Sequence, residues 1–230
     1  MNVLVPLVLV TALLASGAAA PGSLDKARDA QDRATLDQIA HELEDASAKL
    51  PNDANAHYRA AQAESYLSEV LIEVRDKSAA KAAAERGIKA AEKAVALKGD
   101  NAEYHRMLGT LCGQVIPANP LSGLKYGKCA LDEVNKALQL NPNFPEGYLS
   151  HGVGNYYLPP AFGGGVELAV KDFEKAIQLN PKLAEAHLWL GVALRKLNRN
   201  PEARKAFAKS LELNPARLWA KQQLEKTPVQ

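Results

Sequence analysis

The stretch AEAHLWLGVALRKLNRNPEARKAFAKSLELNP, Ala184 to Pro215, decides how the whole chain is read. At helical period its first half puts Leu190, Gly191 and Leu194 on one face, and its second half puts Ala203, Phe207, Ser210 and Leu211 on another. Asn198-Arg199-Asn200-Pro201 separates the halves, and a proline suits the first turn of a helix. Pro215 stops the second helix. Residues 182–215 thus form two antiparallel helices, with the small residues Gly191 and Ala203 expected to face each other where the backbones approach.

The same phase recurs upstream. SAKLP, VALKG, LQLNP, IQLNP and LELNP close comparable segments at Pro51, Gly99, Pro142, Pro181 and Pro215, spaced 48, 43, 39 and 34 residues apart. Aligned on helix starts at Ala54, Ala102, Pro145 and Ala184, the longer units carry 14, 9 and 5 extra residues between their two helices. The first excess has no Pro or Gly, which predicts longer helices rather than a loop. The second, Val115 to Pro120, is a break with Asn119 as cap and Pro120 opening the next helix. The third falls within Leu158-Pro159-Pro160-Ala161-Phe162-Gly163-Gly164-Gly165, where prolines stop one helix and glycines shape the approach to the next.

This pattern resembles the tetratricopeptide repeat: a Leu-Gly pair, a later Ala, an aromatic four residues on and a closing Pro, over about residues 24–226. The resemblance implies an all-α, right-handed solenoid of helix hairpins. Its units are a leading half repeat at 23–50, repeats at 51–99, 100–142, 143–181 and 182–215, and a capping helix at 216–226. The half repeat is expected to be one long helix, with Leu36, Ile39, Leu43 and Ala46 covering the first full repeat. In such repeats the first helices line a concave face. Carried over position by position, that face takes Tyr58, Gln62 and Tyr66, then Arg106, Thr110 and Gln114, then Leu149, Val153, Tyr156 and Tyr157, and finally Leu188 and Arg195. Aromatic, amide and guanidinium groups sharing a surface resemble a recognition face.

Residues 1–20 stand apart. Val3 to Leu14 is uncharged, too short to span a bilayer but suited to a secretory signal, and Ser16 to Ala20 supplies a small-residue cleavage site. The expectation is an exported chain, periplasmic or secreted, with no stable membrane span after cleavage. Across all 230 residues the net charge is +2 and 47% of residues are hydrophobic, which argues against a nucleic-acid surface.

No catalytic, metal or cofactor set emerges. Ser, His and Asp are scattered, and the carboxylates sit at helix-surface spacings with Lys and Arg. His57, His105 and His187 each hold the fourth position of a first helix, a repeat apart and too distant to share an ion. Phe162, Gly163, Gly164 and Gly165 precede a helix as an anion cradle would, but without a Lys or a preceding strand. The simpler reading is a shaped loop that folds Phe162 back onto the helices, with Tyr156 and Tyr157 nearby as a pocket wall.

Cys112 and Cys129 lie on opposite helices of one hairpin. If Gly109 faces Ala130 they are offset by about 3 Å along the axis, and if the turn centres on Ala118 by about 7.5 Å, at the helical rise per residue. The first register permits a disulfide and the second leaves two buried thiols, and the sequence leaves both open.

Two further resemblances bear on function. The leading half repeat, the LCGQ of Leu111–Gln114 and the widened third repeat are similar to the regulator-of-microtubule-dynamics type of repeat protein. The PAFGGG of Pro160–Gly165, with the exported character, resembles the T-component proteins that accompany TRAP-type solute transporters. Together these readings imply a non-enzymatic scaffold holding a protein or peptide partner in its groove. The alternative is an accessory protein of an envelope transporter, holding a small apolar ligand under Tyr156, Tyr157 and Phe162.

Overall fold

The computed structural model describes residues 21–118 and 120–229. The expected signal segment 1–20 and the expected cap Asn119 lie outside the described residues. Helices α1 (Pro21–Asp29) and α2 (Arg33–Lys49) form a leading hairpin, and α3 (Ala54–Glu73) and α4 (Lys77–Leu97) the first repeat. The second repeat is α5 (Ala102–Val115), a single 3₁₀ turn at Ile116–Ala118 and α6 (Pro120–Leu140). The third is α7 (Pro145–Tyr157) and α8 (Val166–Leu179), the fourth α9 (Ala184–Lys196) and α10 (Asn200–Leu213), and α11 (Leu218–Glu225) caps the stack. Consecutive hairpins pack on one another, and α3, α5, α7 and α9 follow each other along an inner row. This is an all-α solenoid of helical hairpins.

The leading segment departs from its expected single helix. It breaks at Ala30-Gln31-Asp32, where Gln31 takes a left-handed backbone with φ 54°. The same turn recurs at Arg75, φ 69°, and Asn198, φ 59°. In each, the next residue's amide donates to a carbonyl five residues back: Asp32 to Ala27 at 2.8 Å, Asp76 to Leu71 at 2.8 Å and Arg199 to Leu194 at 2.9 Å. These are Schellman turns that close off the last carbonyls of a helix. A left-handed Gln or Arg carries a steric cost, and no Gly or Pro stands at the first two breaks to mark them in the sequence. Asp32 and Asp76 then cap the following helices, accepting from the amides of Thr35 and Ala79, both at 3.1 Å.

The extra length falls where the local sequence puts it. In the first repeat it lengthens both helices, to 20 and 21 residues against 13 and 14 in the fourth. In the third it lies between α7 and α8, in a loop with one 3₁₀ turn at Pro160–Phe162. Glycine at the eighth position of the first helix sets the hairpin packing. A Cβ on Gly109 would come 2.7 Å from Val134, on Gly152 2.5 Å from the Phe173 ring, and on Gly191 2.6 Å from the Phe207 ring. Gly191 therefore faces Phe207, four residues beyond the expected Ala203, because the bulky ring fills the hollow that the missing side chain leaves.

Cys112 and Cys129 are bonded, with their Cα atoms 6.0 Å apart, and pin α5 to α6. The core is segmented like the chain. One buried apolar cluster joins α1 to α4, a second runs from α3 to α6 and a third from α7 to α11. No helix among the described residues is long and apolar enough to cross a membrane.

Candidate functional site

The inner row of first helices brings the expected concave residues together, but most are occupied by one another. Tyr58 donates to Glu103 at 2.7 Å and its ring stacks on Tyr104 with centroids 5.2 Å apart. Burial, and after it the Glu103 carboxylate, push the Tyr58 phenol above its ordinary value. Arg106 grips Glu103 through two nitrogens, at 2.6 and 2.5 Å, and reaches Ser150 at 3.3 Å. Thr110 meets the same serine at 3.0 Å, and Gln114 bonds the backbone and side chain of Ser65 at 3.1 and 3.2 Å. Gln62 is half-buried between them.

At the far end, Leu149, Val153 and Tyr156 pack against the C-terminal core, and Leu188 is fully buried in it. Arg195 donates to the side chain of Gln223 at 2.6 Å and to its carbonyl at 3.2 Å, tying α9 to the cap helix. The concave residue left open is Tyr157, 54% exposed. Its ring stands edge-on to Tyr156 at 4.9 Å and to Trp189 at 6.2 Å, and Trp189 continues the cluster to Trp219 at 5.3 Å. Lys196 sits over the Tyr156 ring at 4.2 Å, giving this aromatic shelf a cationic edge.

Tyr66 lies under Arg28 of α1, whose guanidinium is 4.7 Å from the ring centroid. Its phenol is pushed up to about 12, mainly by burial. Arg28 belongs to a cluster that the sequence reading missed. Arg217, at the start of α11 and 1% exposed, donates to Glu69 at 2.6 Å and Glu185 at 2.9 Å and grips Glu73 closely, beside Asp29. Asn214 donates to Asp29 at 2.8 Å and Gln222 to Gln31 at 3.1 Å. The two ends of the solenoid therefore meet across the concave face. The signal for half of this was present: Glu69 and Glu73 continue the stripe of Tyr58, Gln62 and Tyr66 along a helix longer than the usual repeat.

The proline–glycine loop is built differently from either expectation. Gly163 and Gly165 have φ of 86° and 136°, and a Cβ on Gly164 would lie 2.2 Å from the Leu158 carbonyl. The amides of residues 162 to 165 all donate to nearby carbonyls, those of Pro159, Pro160 and Asn155, so none points outward as an anion cradle requires. Phe162 is not folded back but 75% exposed. It borders a cleft of about 340 Å³ with Leu131, His151, Asn155, Leu158 and Lys171, whereas neither tyrosine lines that cleft. Phe162 and the two tyrosines, expected to share an apolar pocket, do not share this cleft.

The repeated histidines serve the backbone. His57, His105 and His187 each bond, through Nε2, the carbonyl six residues earlier, at 3.0, 2.9 and 3.0 Å. Each ring thereby ties a first helix to the terminator of the preceding unit.

Comparison with known proteins agrees with this architecture. The family model described as regulator of microtubule dynamics protein 1-3 matches residues 23–158, more than half of the chain. Tetratricopeptide repeat models match residues 163–198 and 184–217. No curated protein matches the chain. Among solved structures, it is similar to a thermophilic tetratricopeptide repeat protein of Thermus thermophilus, with TM-score 0.59 and 17% identity over 87% of this chain and 99% of that one. It is also similar to the HusA haemophore of Porphyromonas gingivalis, with TM-score 0.54 and 20% identity over 77% and 96%. At such identities these two likenesses speak for the fold alone. With its repeats in phase, its hairpins stacked and more than half its length under one family model, the chain is a tetratricopeptide repeat protein and belongs to the regulator of microtubule dynamics protein 1-3 family.

Proposed function

We propose that the chain is a non-enzymatic scaffold, exported to the periplasm or beyond, that holds a protein or peptide partner at the third-repeat end of its concave face. The observation that carries this is the open Tyr157 ring, set in an aromatic shelf with Lys196 at its edge, while the neighbouring concave side chains are bonded to one another. Such a shelf suits an extended segment that lays an apolar or aromatic side chain on the rings and an acidic group beside the lysine. Tetratricopeptide repeat proteins commonly serve as interaction scaffolds, which supports the reading. Regulation of microtubule dynamics belongs to the family's description, and the rings and lysine of the shelf support a peptide as its occupant. Export is supported by the Cys112–Cys129 bond, a kind of crosslink that persists in oxidising compartments, and by the composition of residues 1–20.

The test is affinity capture from the native envelope with the purified chain, followed by binding measurements on the recovered partner. Tyr157→Ala is expected to weaken binding and Lys205→Ala, on the exposed side of α10, to leave it alone. Equal affinity for wild type and a folded Tyr157→Ala would remove the shelf from consideration.

A further inference from the structure

The two ends of the described stack meet through polar groups. Elsewhere buried apolar clusters carry much of the packing, running from α1 to α4, from α3 to α6 and from α7 to α11, while Ser150 meets Arg106 and Thr110 between the second and third repeats. None of these clusters spans the gap between the leading hairpin with the first repeat and the fourth repeat with its cap. That gap is bridged by polar groups: Arg217 with Glu69, Glu73 and Glu185, Asn214 with Asp29, and Gln222 with Gln31. Separating the ends would break these bonds and return their charges to water without opening an apolar core. The recovered hydration offsets much of the lost attraction.

We propose that this end-to-end contact is a latch: closed, it covers the concave face of the first repeat at Glu69 and Glu73, and open, it frees that face for the protein or peptide partner. It deepens the scaffold reading by controlling how much groove is offered beyond the Tyr157 shelf. The charge balance makes closure sensitive to protonation. Two guanidiniums, Arg28 and Arg217, face four carboxylates, Asp29, Glu69, Glu73 and Glu185. The excess is negative, so closure is easiest when a carboxyl holds a proton.

Glu73, with Glu69 beside it also raised by burial, is that group. Its side chain is 3% exposed, and it faces Glu69 on its own helix, Arg217 from the cap and Gln31 from the first turn. Burial first, and Glu69 second, push its carboxyl up to about 7. Its proton is thus held more tightly closed than open. Closure is unpenalised at pH values below the ordinary carboxylate range, and it loses stability as pH rises from there towards 7.

The test uses the full chain with its native disulfide, which leaves no other thiol to react. Spin labels are placed on Lys26→Cys and Lys221→Cys, exposed positions on α1 and α11, and their separation is read by pulsed electron paramagnetic resonance at pH 5 and pH 8. Wild type is expected to give a short distance at pH 5 and a growing longer population at pH 8. Glu73→Gln should keep the short distance at pH 8, and Arg217→Gln should show the long population at both. A single unchanged distance in all three proteins, or an Arg217→Gln distribution identical to wild type, overturns the latch. If Arg217→Gln loses its helical circular dichroism, the comparison of Glu73→Gln with wild type decides alone. Because no partner is present, failure here leaves recognition at the Tyr157 shelf standing.

Discussion

Gly191 and Phe207 touch so closely that a single methyl group on the glycine would come 2.6 Å from the ring. The hairpin of the fourth repeat therefore has no slack at this point. Gly191→Leu is expected to overpack it by roughly 1–3 kcal/mol or more. Pairing Gly191→Ala with Phe207→Leu should cost less than the two changes summed, since the smaller side chain gives room. Thermal unfolding of the singles and the double reads this directly, and strict additivity would mean the two residues do not meet.

Arg217→Met tests how the buried charges behave. Removing one partner of an inescapably buried ion pair costs about 3–5 kcal/mol, because the other charge stays stranded. Here the stranded carboxylates reach water if the ends part, so the expected loss falls below that range. A loss at its upper end would show instead that Glu69 and Glu73 remain buried without their cation.

The Cys112–Cys129 bond closes a short loop between α5 and α6. Chain-entropy arguments give about 3 kcal/mol for a loop of this size. Replacing both cysteines by serine should lower the unfolding midpoint accordingly, and dithiothreitol should do the same to wild type while leaving the double variant unmoved. A wild-type midpoint indifferent to reductant would mean that the crosslink adds no stability.

His151 bonds Asp172 at 2.9 Å, and Asn155 donates to the same oxygen at 2.7 Å. The Asp172 hydrogen bond raises the imidazole above its ordinary value, against the effect of burial. A raised histidine stabilises the fold fully below its unfolded value and loses that contribution as pH climbs through the folded one. Wild type should therefore be more stable at pH 6 than at pH 8, with Asp172→Asn flattening part of the slope. Chemical denaturation at the two pH values checks it, and identical slopes would sink it.

Tyr157→Ala should weaken partner binding by about 2 kcal/mol, roughly thirtyfold, with folding intact because the ring stands more than half in solvent. Tyr66→Ala and Arg106→Ala stand differently. Their side chains are enclosed in intramolecular networks, so both should lower the unfolding midpoint before any effect on binding is read. Unfolding midpoints unchanged in both would show those networks to be passive.

The sequence was most legible where local rules act alone. Terminators at Pro142, Pro181 and Pro215, and glycine at the eighth helical position, located the hairpins, because chain breaks and close approaches restrict which residues fit. The break at Gln31 stayed hidden because a left-handed glutamine is chosen by packing and not by its own preference. The concave residues were placed on the inner row, yet their occupation was not foreseeable. The Arg106–Glu103 pair is an i,i+3 contact within α5, whereas the meeting of Arg217 with Glu69 and Glu73 depends on how far the stack curves. That curvature arises from small rotations between hairpins, summed over the stack, which no short motif encodes.

The contact between Asn214 and Asp29 spans 185 residues in a protein whose other contacts are mostly local. Hairpins form quickly from near neighbours, whereas joining distant points must first overcome the entropy of the intervening chain. On the ribosome, Glu69 and Glu73 are made long before Arg217 emerges. Throughout that interval the nascent first repeat displays bare carboxylates, a hydrated and mutually repelling surface that discourages association with other unfinished chains. A segment synthesised late thus completes a surface made early.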